Sequence, residues 1–147
     1  MPTNLYGIGD NFHPENSHVL PAMLRRLHEA KVSGAKTVTM WGSGTPRREF
    51  LHVDDLAAAC VFLLETYDGD VPLNVGCGTD VTIKELAETV ARVTEFQGTL
   101  EWDSSKPDGT PQKLLDVTRM KSLGWEPAIG LRQGIASTYE GYRALGS

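Results

Sequence analysis

Apolar positions along the chain fall into helix-spaced clusters, separated by short β-rich runs and Gly/Pro turns. In NSHVLPAMLRRLHEAK, Leu20, Met23, Leu24 and Leu27 recur at three- and four-residue steps. A helix is expected there with Asn16 or Ser17 as N-cap, and Pro21 falls in the first turns, where a missing N–H is tolerated. MPTNLYG reads as the end of a strand entering a Gly-rich loop. KTVTMW predicts a strand over Thr37–Trp41 stopped by Gly-Ser-Gly. Asp54 or Asp55 is expected to cap a second helix whose stripe is Leu56, Ala59, Cys60, Leu63 and Tyr67. A short strand is expected at Leu73–Val75. The third helix has the sharpest start, because Thr82 and Glu85 form a Ser/Thr-x-x-Glu capping box and Val81 and Leu86 are spaced as a hydrophobic staple. Its stripe is Ile83, Leu86, Val90 and Val93. GTLEWD predicts a further strand and SKPDGTPQK a polar loop. TRMKSLGW predicts a short helix ended by Gly124 at C′. Leu131, Ile135, Tyr139 and Tyr142 mark a last helix over residues 131–143. Short strands with surface helices, no repeats and no linker predict one small mixed α/β domain over residues 1–147.

Composition narrows the function classes. The 147 residues carry 14 Lys+Arg against 19 Asp+Glu, a net charge of −5, which argues against a general nucleic-acid binder while leaving room for one local cationic pocket. No apolar run reaches the roughly 20 residues of a membrane span, and the N-terminus lacks the basic and apolar regions of a signal peptide. Cys60 and Cys77 form no CxxC pair. Parity leaves a disulfide open, but free thiols in a cytoplasmic protein are expected.

The four histidines, His13, His18, His28 and His52, show no HxxxH or HExxH spacing, so no metal site is expected. His18 stands where a polar loop becomes a helix, a position open both to a capping or surface role and to a substrate contact at an electropositive helix start. Two dibasic pairs, Arg25–Arg26 and Arg47–Arg48, invite a second question. Arg26 lies at the shoulder of the first helix's apolar stripe and Arg48 precedes Glu49, Phe50 and Leu51, so these two are the better placed for a cleft. Guanidinium forks bind two phosphate oxygens at once, so a helix arginine with a loop arginine suits a diphosphate; a solvated face is the alternative. Arg47, beside Pro46, is expected to be a solvated neighbour. Trp41 is either a core anchor or a stacking platform. Neither GIGDNF nor NVGCGTD is a dinucleotide fingerprint. No Tyr-x-x-x-Lys is present, since Tyr6, Tyr67, Tyr139 and Tyr142 are followed at the fourth position by Asp10, Val71, Arg143 and Gly146.

Five blocks, MPTNLYGIGDNFHPENSHVLPAMLRR, WGSGTPRREFLHVDDLA, NVGCGTDVTIKELA, SKPDGTPQKLLDVTR and LGWEP, together resemble the GDP-L-fucose synthase family. Its members are NADP-dependent epimerase/reductases of the extended short-chain dehydrogenase/reductase class. The likeness runs over nearly the whole chain but meets only the C-terminal half of the longer family enzyme. NFHPENSHV and SKPDGTPQKLLD discriminate best, since REFLHVDDLA recurs across nucleotide-sugar epimerases and dehydratases.

The resemblance implies a small mixed α/β substrate-binding domain, without the dinucleotide-binding half and its Tyr/Lys pair. It assigns Pro2, Thr3, Asn4 and Leu5 to a cofactor-binding loop. His18 becomes the acid that returns a proton during epimerisation, close to the nicotinamide. Arg26, Trp41, Arg48 and Asp108 become contacts of the GDP-sugar. In the family the reaction converts GDP-4-keto-6-deoxymannose to GDP-L-fucose with NADPH. This chain alone is expected to bind no NADP and to be inactive, with a homodimer or a complementary N-terminal chain as its macromolecular partner. A stand-alone nucleotide-sugar-binding module and a repurposed self-associating scaffold are the alternatives.

Overall fold

A computed structural model describes residues 1–145. Strand β1 (Asn4–Tyr6) runs parallel to β4 (Phe50–His52), pairing Asn4 with Phe50, Leu5 with Leu51 and Tyr6 with His52. Strand β2 (Thr37–Trp41) is parallel to β6 (Thr99–Asp103) over five residue pairs. A third sheet orders β5 (Val81–Thr82), β3 (Arg47–Arg48) and β7 (Gln112–Lys113), with β3 antiparallel to β5 and parallel to β7. The strand expected at Leu73–Val75 contracts to a single bridge between Pro2 and Val75. The SKPDGTPQK loop is a loop apart from β7 at its end.

Helix α1 (Val19–Ser33) starts one residue later than its polar lead-in predicts. His18, in extended conformation, is the N-cap, and no side chain caps the helix, so the expectation for Asn16 or Ser17 is corrected. Pro21 is the third helical residue, where its N–H would have no helical partner in any case. Gly34 ends the helix in left-handed conformation, with its N–H on Lys31 and that of Ala35 on Ala30.

Helix α2 (Val53–Thr66), by contrast, starts earlier than expected. β4 passes into it without a turn, so His52 takes the cap and its Nδ1 accepts the Asp54 N–H at 3.3 Å. Asp55 is instead buried inside the first turn. Its carboxylate accepts the Ala128 and Ile129 N–H groups at 3.0 Å each. Cys60 faces solvent rather than the core.

Helix α3 (Ile83–Thr94) carries the expected capping box. Thr82 Oγ1 accepts the Glu85 N–H at 3.0 Å, and Glu85 Oε2 accepts the Thr82 N–H at 2.7 Å. Helix α4 (Thr118–Ser122) closes at Gly124, and α5 (Leu131–Leu145) returns across the molecule. The larger core gathers Leu20, Leu24 and Leu27 of α1 with Leu86 and Val90 of α3, Ile135 of α5 and Val38 and Met40 of β2. A smaller one joins Leu51, Ala59, Leu73, Val75, Met120 and Trp125. Phe50 belongs to the first core and Leu51 to the second, so β4 is the seam between them. No helix among the described residues is long and apolar enough to cross a membrane.

Candidate functional site

β4 also separates two clefts that share Phe50 as a wall. The first, about 420 Å³, is lined by Thr3, Asn4, Leu5, Asp10 and His18 together with the start of α1. The second, about 400 Å³, is lined by Arg48, Cys77, Thr79, Val81 and the 127–131 segment that enters α5. Three of the four residues of the candidate cofactor loop therefore meet His18 in one pocket. Pro2 lies outside it, exposed and bridged to Val75.

Hydrogen bonding sorts the histidines. His13 Nδ1 accepts the Glu15 N–H, His28 Nδ1 meets the Tyr139 hydroxyl at 2.9 Å, and His52 caps α2. Only the His18 imidazole, among the described residues, is left without such a bond while facing a cleft. No three His, Cys, Asp or Glu side chains among those residues gather as a metal site would need.

The short third sheet decides the arginine pair. Side chains of register partners share a face. Arg48, Val81 and Lys113 therefore lie on one side, and Arg47, Thr82 and Gln112 on the other. Arg47, although its side chain is 42% exposed, is more than a solvated neighbour. Its Nε donates to Asp80 Oδ1 at 2.7 Å and its Nη2 to the Asp80 carbonyl at 3.1 Å, while Gln112 Nε2 donates to Asp80 Oδ2 at 2.5 Å. The bonds from Gln112 and Arg47 hold the Asp80 carboxyl below its ordinary range. Arg48 uses one nitrogen on the Arg47 carbonyl at 2.7 Å, and its guanidinium borders the second cleft.

Trp41 closes β2 with 71% of its surface exposed, so it is not a core anchor. Strand alternation puts Thr37, Thr39 and Trp41 on the outer face, and the Arg26 guanidinium donates to the Thr39 carbonyl, two residues before Trp41. Lys106 Nζ stands 5.8 Å over the Trp41 ring. In the turn that follows, Asp108 accepts the Ser43 N–H at 2.6 Å and the Ser43 hydroxyl at 2.8 Å, and these bonds hold its carboxyl below the ordinary range. Gly42 has φ 81°, and a Cβ there would lie 2.4 Å from Asp108 Oδ1, so the turn closes only on glycine. A Cβ at Gly109 would in turn lie 4.0 Å from Arg48 Nη2, so the loop carrying Asp108 runs beside Arg48.

Trp41, Asp108 and Arg48 thus form an outer band joined by the 42–43 turn and the 108–109 loop, with Arg26 bonded to β2 at Thr39, and the band is distinct from the His18 pocket beyond Phe50. Lys113 is a cation that sequence reading missed. Its only sequence signal was a place in a polar loop, and pairing across the β3–β7 ladder puts it on the same sheet face as Arg48.

The fold is the small mixed α/β arrangement of extended short-chain dehydrogenase/reductases. Residues 1–76 match the NAD dependent epimerase/dehydratase family model, and the chain belongs to that family. It is 63% identical over 142 residues to GDP-L-fucose synthase 1 of Arabidopsis thaliana, covering 97% of this chain and 44% of that protein. It is 56% identical over 149 residues to GDP-L-fucose synthase of Escherichia coli K12, covering 95% of this chain and 46% of that protein. The structure of a GDP-L-fucose synthetase from Naegleria fowleri bound to NADP superposes with a TM-score of 0.91 at 28% identity, over 97% of this chain and 45% of that one. The chain therefore spans under half the length of these three relatives.

Proposed function

We propose that this chain is the substrate-binding part of a GDP-L-fucose synthase-like epimerase/reductase, and that its outer band holds the GDP-sugar. The observation that carries this is the pairing of Arg48 with Lys113 on one sheet face, next to the loop whose Asp108 binds the turn that follows the exposed Trp41. Two cations of different geometry suit a diphosphate, the guanidinium binding two oxygens and the ammonium acting as a point charge. Trp41 offers a flat apolar surface for a base or sugar ring. Arg26 adds a cation at Thr39, two residues before Trp41 on β2, and Asp108, an ionised acceptor, suits a hydroxyl or base N–H.

His18 is read as the acid of the epimerisation. Proton removal beside a ketone needs a base on one face of the sugar and an acid on the other, and an imidazole not bound by the protein is free to deliver a proton. Thr3, Asn4 and Leu5 in the same pocket suit the ring end of a nicotinamide cofactor, and we extend that loop assignment to Pro2. NADPH, when bound, would supply hydride to the C4 ketone. These residues include no glycine-rich cradle for the dinucleotide's phosphates and no Tyr-x-x-x-Lys pair, so we read the chain alone as binding no NADP and turning over no substrate. Free Cys60 and Cys77 support a cytoplasmic setting.

Calorimetric titration with GDP, GDP-fucose and a UDP-sugar tests the binding role. Guanine-selective binding is the expected result, and silence towards all three rejects it. NADPH oxidation with GDP-4-keto-6-deoxymannose by the purified chain would reject the inactivity.

A further inference from the structure

Glu49 stands between Arg48 and Phe50, is wholly buried, and forms no ion pair among the described residues. A buried carboxylate without a counter-charge is tolerated only when hydrogen bonds replace its water. Here Oε1 accepts the Gly78 N–H at 2.7 Å and Oε2 accepts the Leu115 N–H at 3.1 Å. The backbone carbonyl of the same residue accepts Asn4 Nδ2 at 2.7 Å and Thr3 Oγ1 at 3.3 Å. A Cβ at Gly76 would fall 2.4 Å from Oε1, so a glycine is needed for the carboxylate to lie where it does. One residue thereby fastens three segments distant in sequence. The first lines the His18 pocket, the second adjoins Cys77 of the Arg48 cleft, and the third follows Lys113 by two residues. An apolar side chain of similar volume would fill the space, but it would leave both N–H groups buried and unpaired.

We propose that Glu49 is a positioning residue that fixes the Thr3–Asn4 loop against the Arg48 cleft, so that the two clefts flanking Phe50 keep one relative geometry. The proposal rests on reading those clefts as two parts of a single site. Glu49→Gln keeps the volume but turns an NH2 towards one of the two backbone donors. Gly76→Ala presses on the same carboxylate from the opposite side and serves if Glu49→Gln does not fold. Val90→Ala, in the α3 core, is the control that destabilises without touching these segments. GDP affinity is measured calorimetrically well below each variant's melting temperature. The expected result is a loss of at least tenfold in Glu49→Gln and Gly76→Ala, with Val90→Ala within twofold of wild type. Affinity within twofold in all three overturns the proposal. If the wild-type chain binds no GDP, the functional reading fails instead, and the positioning role is read from NMR of Glu49→Gln. Displacement of the Asn4 side-chain amide together with the Gly78 and Leu115 N–H signals supports it. Changes confined to Gly78 and Leu115 overturn it.

Discussion

Arg47 and Arg48 are neighbours in the chain but occupy opposite faces of a two-residue strand, and their surroundings give them different work. Arg47 is committed to Asp80, whereas Arg48 keeps most of its guanidinium for the cleft. Arg48→Ala is expected to weaken GDP binding by tenfold or more with little change in melting temperature, and Arg47→Ala to do the reverse; titration and thermal melts on both variants check this. The Asp80 carboxyl titrates below its ordinary range in the folded protein. Its contribution is therefore full above the unfolded value of about 3.9 and fades as pH falls through that value towards the lower folded one. Asp80→Asn should lower the melting temperature at pH 7, and the gap from wild type should narrow at pH 3. A gap independent of pH would contradict the assignment.

At the scale of elements, helix starts show where local chemistry suffices. The Thr82–Glu85 box satisfies two N-terminal N–H groups of α3 by its own residues, so sequence spacing alone located it. Thr82→Ala is expected to cost about 1 kcal/mol, measured by denaturant unfolding. The caps of α1 and α2 were misplaced because the approach of the preceding segment decides them. β4 stays extended up to His52, which leaves Asp54 and Asp55 inside the helix rather than before it. Asp55 was then free to bind the 128–129 backbone, a partner 73 residues away that no local pattern announces.

For the whole molecule, α2 raises a separate question. Its inner side packs on the smaller core through Leu56, Phe62 and Leu63, while Leu64 and Val61 are 87% and 56% exposed. Adjoining apolar surface of this kind favours association. Leu64→Lys is expected to leave the melting temperature unchanged and to lower the scattering mass of concentrated samples. An unchanged mass would show that this face does not drive association.

The sequence by itself determined the helices with strong 3.6-residue stripes, the β2 and β6 strands, the α3 cap and the Gly124 stop, because each depends on residues within a few positions of one another. It also pointed to His18, Arg26, Trp41, Arg48 and Asp108 as candidates, through motif blocks. Tertiary structure alone decided which candidates share a cleft, since Phe50 divides the His18 pocket from the Arg48 cleft. It also separated Arg47 from Arg48, brought Lys113 beside Arg48, and buried Glu49 and Asp55 on distant backbone. Those outcomes follow from strand register and from hydrogen bonds between segments dozens of residues apart, and neither leaves a periodic trace in the chain.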